Sequence, residues 1–183
     1  MDKLRVFIAV PISWAIQEEL VSLQSSLQKF DSRANYTRLG NFHITLEFIG
    51  GVGEAALPKL KMAIAATAEQ NQGFALKLLG WGSFSKKQEQ VAWLGVGEGK
   101  AALAKLQASL WRNLQHQAWP VDLQQPYRPH LTMARRLRLP QKVKQLPLPE
   151  PKIVLPVQHM ALMLSAQENN VLVYSELYTA KLG

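Results

Sequence analysis

Two stretches of this chain carry one pattern. Phe42-His43-Ile44-Thr45-Leu46-Glu47-Phe48 and Pro129-His130-Leu131-Thr132-Met133-Ala134 each read His, apolar, Thr, apolar. The chain holds only four histidines and five threonines. Two coincident His-x-Thr pairs are therefore a poor product of chance, even with the false positives that short motifs attract. The alternation restricts what both segments can fold into, because successive side chains of a strand point to opposite faces. Ile44, Leu46 and Phe48 then enter a core, while His43, Thr45 and Glu47 share the other face. In the second copy Leu131 and Met133 turn inward, and His130, Thr132 and Ala134 outward.

The surroundings of the motifs repeat too. Arg5–Val10 is a short apolar run ended by Pro11 and reads as a buried strand. Ser13 offers a helix N-cap, and Ile16, Leu20, Leu23, Leu27 and Phe30 form one apolar stripe at helical spacing. A polar loop through Asp31–Asn35 leads to the first motif, which closes at Gly50-Gly51. A second helix spans Glu54–Glu69, with Pro58 near its start and Leu57, Leu60 and Ile64 inward. Phe74–Leu79 reads as a strand, and Gly80–Glu89 as a charged, glycine-containing connection. The second half runs similarly: a strand at Val91–Val96, a helix at Lys100–Gln117, a loop holding Pro120 and Pro126, then the second motif. Five of the ten prolines fall between Pro140 and Pro156, which marks that region as mostly irregular surface chain. Two closing strands, Val157–Leu164 and Val171–Thr179, flank a turn at Asn169-Asn170. The expectation is a duplicated α+β unit: a single bilobal domain over 1–183, with sequence halves of roughly 1–85 and 86–183. Two antiparallel sheets with outer helices would enclose a central cleft, the two motifs facing each other across it.

Composition narrows the chemistry. The 183 residues are 48% hydrophobic and 19% charged, as in a globular protein with a real core. No apolar run approaches the ~20 residues of a membrane span. Met1–Arg5 lacks the apolar stretch of a signal peptide, so the expectation is a cytoplasmic protein. There is no cysteine, which rules out disulfides, thiolate metal sites and cysteine nucleophiles. No Gly-x-Ser-x-Gly elbow is present, which disfavours a serine hydrolase. The amphipathic stripes account for most apolar residues, so a monomer is expected. The net charge is +8, and Arg128–Lys152 contributes seven basic residues against the single acid Glu150. A field so concentrated suits a phosphate or polyanion.

A histidine titrates near neutral pH, so two of them at one substrate can supply a base for water and an acid for a departing oxygen. Thr45 and Thr132, on the histidines' strand face and stiff at χ1, can present hydroxyls to charge developing on phosphoryl oxygens. A metal site needs three or four ligands; His43, His130 and Glu47 would make three, but Glu47 reads equally as a solvated strand residue, and no metal is expected. His116, on a helix without a partner motif, reads as surface, and His159 as structural. Phe7, Phe42, Trp81 and Tyr127 are candidates for stacking on a base, each more readily explained as packing.

The paired motifs HITL (43–46) and HLTM (130–133) resemble the signature of the two-histidine phosphoesterase superfamily. RVFIAV, NFHITLEFIGGV, GSF…VAWLGV and YRPHLTMAR resemble, in order and spacing, its bacterial and archaeal branch of RNA 2′,3′-cyclic phosphodiesterases, once called 2′-5′ RNA ligases. Where that branch often has a glycine before its final tyrosine-containing strand, this chain has Asn169-Asn170 before Tyr174. The resemblance implies metal- and cofactor-independent hydrolysis of RNA 2′,3′-cyclic phosphate ends, tRNA fragments among them, to 2′-phosphomonoesters. It implies His43 as proton donor and His130 as proton acceptor. Spacing alone assigns neither role. Thr45 and Thr132 would hold the phosphate. Arg135 matches the family's arginine after the second motif, although strand alternation puts it off the His130 face unless the strand bends. Two other readings share these residues: an ATP-independent 2′-5′ RNA ligase, and an RNA-binding module without turnover.

Overall fold

The apolar run of the N-terminus forms strand β1 (Leu4–Pro11), whose Val6, Ile8 and Val10 are buried in the main core. The computed structural model describes residues 3–121 and 126–183, so part of the Pro120–Pro126 loop lies outside the described residues. Helix α1 (Trp14–Gln28) follows, with Ser13 at its N-cap position but its hydroxyl not bonded to the helix. Phe30, expected to end the apolar stripe, lies past the helix terminus and is exposed. Then come β2 (Asn35–Tyr36), the first motif strand β3 (His43–Val52), a short 3-10 turn at Glu54–Ala56 and α2 (Leu57–Glu69). The chain continues through β4 (Phe74–Lys86), β5 (Glu89–Val96), α3 (Lys100–His116) and the second motif strand β6 (His130–Leu137). It closes with β7 (Val154–Val157), β8 (His159–Glu168) and β9 (Val171–Lys181).

The strands lie in the order β7-β4-β5-β6-β3-β1-β8-β9, with β2 paired to β6. All pairings are antiparallel, as the alternating motifs predict. The expected α+β architecture is present, and its two sheets are continuous, joined where Ile44 of β3 pairs with Leu131 of β6. Each half of the chain contributes strands to both ends: β4 lies between β7 and β5, while β8 pairs with β1 and carries β9 on its outer edge. Only Gln158 separates β7, at one end of the strand order, from β8 near the other. Two residue steps span at most about 7 Å, so the sheet must curl until those corners meet. Leu103, Leu106, Leu110 and Leu114 of α3 and Leu60 and Ile64 of α2 fill the convex side. The concave side carries a small separate cluster of Phe7, Ala9, Ala161 and Met163.

Two expectations are corrected. Residues 80–89 form no open connection; β4 runs on to Lys86 and turns directly into β5. Its glycines serve the strand itself. Gly80, at φ +64, sits at a register shift between Leu79 and Trp81. Gly82 lies so close to Trp93 that a Cβ there would collide with the indole. In a strand such glycines mark a bulge and a close approach, not a break. The strand expected at Val157–Leu164 is likewise divided at Gln158, because 154–157 pairs with β4 and 159–168 with β1 and β9. The Asn169-Asn170 turn is as expected, both residues at positive φ (50 and 63). Asparagine tolerates that conformation, so it stands where a glycine would serve.

Gln24 of α1 ties the helix to the second motif. Its Nε2 donates to the carbonyls of Thr37 (2.9 Å) and Met133 (2.7 Å), and the side chain is buried. Gln24→Leu keeps the volume but strands the Thr37 carbonyl. The expected cost is about 1–3 kcal/mol, read as a lower melting temperature; an unchanged transition would show that water replaces the amide.

Candidate active site

The two histidines are held in the same way. His43 Nδ1 donates to the Asn41 carbonyl at 2.8 Å, and His130 Nδ1 to the Arg128 carbonyl at 2.7 Å. A backbone carbonyl can only accept, so Nδ1 carries the proton in both rings and each neutral Nε2 keeps its lone pair. His43 Nε2 accepts from the Thr45 hydroxyl at 3.1 Å. Continuing the antiparallel register from Ile44↔Leu131 sets His43 opposite Thr132 and Thr45 opposite His130. The expected convergence of the motifs is present: a His/Thr pair from each strand meets the other around a local two-fold.

Beyond that point simple alternation fails, and it fails identically in both strands. Against β1, β3 carries one extra residue between Thr45 and Glu47 and another between Phe48 and Gly50. Against β5, β6 carries one between Thr132 and Ala134 and another between Ala134 and Leu137. A β-bulge puts two residues opposite one and re-aims the side chains that follow. In β3 the first bulge turns Glu47 to the convex side, where it accepts a hydrogen bond from Trp111 Nε1 of α3. Phe48, expected in the core, is instead 67% exposed, on the concave side near Phe7 (ring centroids 6.2 Å apart). In β6 the equivalent bulge sends Ala134 into the core and frees Arg135 to line the cleft with His43 and Thr132. Alternation alone predicted the reverse for Phe48, Glu47 and Ala134. Arg135 reaches the His130 face because the strand does bend.

Aromatic rings back both histidines. Phe7 and Tyr174 pack on His43 at 4.7 and 5.2 Å between centroids, and Phe84 and Trp93 on His130 at 5.1 and 6.2 Å. Burial disfavours the charged imidazolium. It pushes His43 down to about 4, the Asn41 carbonyl opposing and the Arg135 cation and His130 adding to the fall. His130 is lowered too, chiefly by burial, with the Arg128 carbonyl opposing and Arg135 adding. Both rings of the free protein are neutral at pH 7.

Asn41 is a positioning residue that the sequence reading missed. Besides receiving His43, it spans to β9: its Nδ2 donates to the Leu172 carbonyl (2.8 Å), and its Oδ1 accepts from the Tyr174 N–H (3.0 Å). It thereby sets Tyr174 against His43. Of the suggested stacking residues, Phe42 and Trp81 are core, Trp81 donating to the Pro149 carbonyl. Phe7 is buried beneath His43, and the Tyr127 hydroxyl donates to the Thr45 carbonyl at 3.0 Å. His116 and His159 are exposed and outside the cleft.

The histidines lie between two hollows. One, of about 700 Å³, is lined by His43, Thr132, Arg135, Arg136, Arg5 and Arg38 among others. The second, of about 660 Å³, is lined by Thr45, Phe48, Tyr127, Arg128, Trp111 and His130 among others. The basic run 128–152 is thus not one surface. Arg138 pairs with Glu89 and Lys142 reaches Ser85, whereas Arg5 and Arg38, from distant sequence, join Arg135 and Arg136.

A curled α+β sheet presenting two equivalent His-x-Thr strands to one cleft is the architecture of the two-histidine phosphoesterases. The chain belongs to the 2′-5′ RNA ligase superfamily, which matches residues 13–169. It is 29% identical over 134 residues to the RNA 2′,3′-cyclic phosphodiesterase of Methanothermobacter thermautotrophicus, covering 73% of this chain and 71% of that protein. To the protein of the same name from Thermotoga maritima it is 27% identical over 144 residues, 78% of this chain and 75% of that one. Among solved structures, LigT of E. coli complexed with 3′-AMP superposes with a TM-score of 0.77 at 21% identity, over 100% of this chain and 99% of that one. TT0787 of Thermus thermophilus does so with 0.79 at 24% identity, over 97% of each. At these identities the structural likeness speaks for the fold. No helix among the described residues is long and apolar enough to cross a membrane.

Proposed function

We propose that the protein is a metal-independent RNA 2′,3′-cyclic phosphodiesterase, a cytoplasmic monomer that opens cyclic phosphate ends, including those of tRNA fragments, to 2′-phosphomonoesters. The observation that carries this reading is the pair of equivalent histidines, each with Nδ1 committed to a backbone carbonyl and Nε2 left for chemistry. The names of the curated relatives support it.

In this reading His130 Nε2 takes a proton from water as the water oxygen bonds to phosphorus. The bond from phosphorus to the ribose 3′ oxygen breaks, and His43 Nε2–H delivers its proton to that oxygen, leaving a 3′ hydroxyl and a 2′ phosphate. Thr45, Thr132 and Arg135 hold the phosphoryl oxygens, where negative charge grows in the transition state. His43 must enter protonated, yet it is neutral in the free protein. The substrate's negative charge provides the correction, since a nearby anion favours imidazolium. Phe48, beside Thr45 and Tyr127, offers a face for the terminal base.

The test is incubation, in EDTA, with an oligonucleotide ending in a 2′,3′-cyclic phosphate. The product should gain one water and carry its phosphate on the 2′ oxygen; a joined product instead would indicate ligation. Phe48→Ala should raise KM by about five- to 150-fold, as loss of one base–aromatic stack costs about 1–3 kcal/mol, with kcat changed less. An unaltered KM would remove Phe48 from the site.

A further inference from the structure

We propose that the hollow on the Arg135 side is a subsite for the phosphodiesters upstream of the reacting end, so that the protein prefers a strand to a cyclic mononucleotide. This deepens the cyclic phosphodiesterase reading and rests on it.

Four arginines reach this hollow from three separate segments: Arg5 on β1, Arg38 in the approach to β3, and Arg135 and Arg136 on β6. Arg5 follows the same alternation as Phe7 and Ala9, which places it on the concave face of β1. No carboxylate lines the hollow among the described residues, so the cations are not neutralised there. A cyclic phosphodiester carries a single negative charge, which Arg135 and the histidine–threonine groups suffice to hold. Three further cations exceed what one such end requires.

Backbone geometry points the same way. Arg136 sits at the second bulge of β6 with φ 59, a left-handed conformation that is strained for a non-glycine residue. The strain turns a charged side chain into the hollow that Arg135 also lines. The opposite hollow has a different character, with Phe48, Trp111 and Tyr127 beside Arg128 and the carboxylate of Glu47, which accepts from Trp111. The cleft is therefore polar in direction: an aromatic side suited to a terminal base, and a cationic side suited to a backbone. Successive phosphates on a flexible strand are the ligand that four arginines lining one hollow fit.

The experiment compares a 2′,3′-cyclic mononucleotide with an oligonucleotide of about six nucleotides, the scale of a single-strand site, ending in the same cyclic phosphate. The proteins are the wild type, Arg5→Ala/Arg38→Ala and Arg5→Lys/Arg38→Lys. Both positions are exposed, and melting curves check for equal folding. The wild type should favour the oligonucleotide in kcat/KM, and the alanine pair should lose at least tenfold on it with the mononucleotide unchanged within twofold. The salt dependence on the oligonucleotide should flatten, by about 0.7 in log–log slope per lost contact, while the lysine pair keeps most of the preference. Equal rates of wild type and alanine pair on the oligonucleotide overturn the proposal, as does an equal fall on both substrates. A wild type inactive on both would overturn the cyclic phosphodiesterase reading instead. Anisotropy of a labelled 3′-phosphorylated oligonucleotide then decides the subsite, with tenfold weaker binding by the alanine pair expected and equal binding against it.

Discussion

His43→Ala or His130→Ala lowers kcat on a cyclic phosphate end by about 10³-fold, the scale of losing a positioned general acid or base. The two variants should differ in what they do to pH dependence. In the free protein His43 lies at about 4, and His130 is also below the ordinary histidine value. The productive form has His43 charged and His130 neutral, so the rise of kcat/KM with pH belongs to His130 and should end below pH 6.5. The fall belongs to the donor. At pH 7 only about one molecule in 10³ carries a protonated group of pKa near 4, so kcat/KM should already be declining there. The fall in kcat should come at higher pH, because bound phosphate supports the imidazolium. NMR titration checks this independently of turnover. His43 should titrate near 4 alone and shift upward by more than one unit when inorganic phosphate saturates the site. A midpoint insensitive to phosphate would overturn its role as donor. His43→Ala should abolish the alkaline decline and His130→Ala the acid limb; the opposite pairing would exchange the two roles.

Arg135→Ala should lower kcat by about 10²–10³, the usual effect of removing one group that stabilises developing oxyanion charge. Arg135→Lys should recover part of that loss, since a lysine supplies the charge without the planar fork. A purely structural role would leave the histidines' titration alone, but Arg135 adds to the lowering that burial chiefly imposes on both. Its removal should therefore raise both midpoints, and the alkaline decline of kcat/KM should move to higher pH. Arg135 is exposed, so the melting temperature should hardly move. Normal turnover with unshifted histidines would mean that the side chain points away from the phosphate.

The equivalence of the two bulged strands explains why Arg135 and Phe48 matter together. Each stands five residues after its histidine, and each is carried to the concave face by a bulge at the same place. One motif strand therefore offers a cation where the other offers an aromatic face. The pseudo-symmetric cleft gains a direction from residues that its motifs do not include.

Much of the fold was legible locally. The apolar stripes of α1 as far as Leu27 and of α3, the alternation through His43–Leu46 and His130–Met133, and the Asn169-Asn170 turn are all short-range signals, and each forms as read. The errors arose where a local signal has two structural meanings. Gly80 and Gly82 read as breaks because glycine more often interrupts than completes a strand. Here one serves a register shift and the other the approach of Trp93. Asn41 left no signal, because its carbonyl and amide act through His43 and a strand more than a hundred residues away.

That two strands carry His and Thr on one face follows from the order of residues alone. Period-two alternation and residue chemistry are properties of a few adjacent positions, and the duplicated pattern already implied convergence on one anionic substrate. What stands beside the pair is settled by pairing in three dimensions. Whether Phe48 or Glu47, Arg135 or Ala134, faces the cleft depends on how many residues of β3 and β6 oppose β1 and β5. A count across paired strands cannot be read from either strand alone. The same non-local pairing brings Arg5 and Arg38 to Arg135 and Arg136, and places His43 across from Thr132.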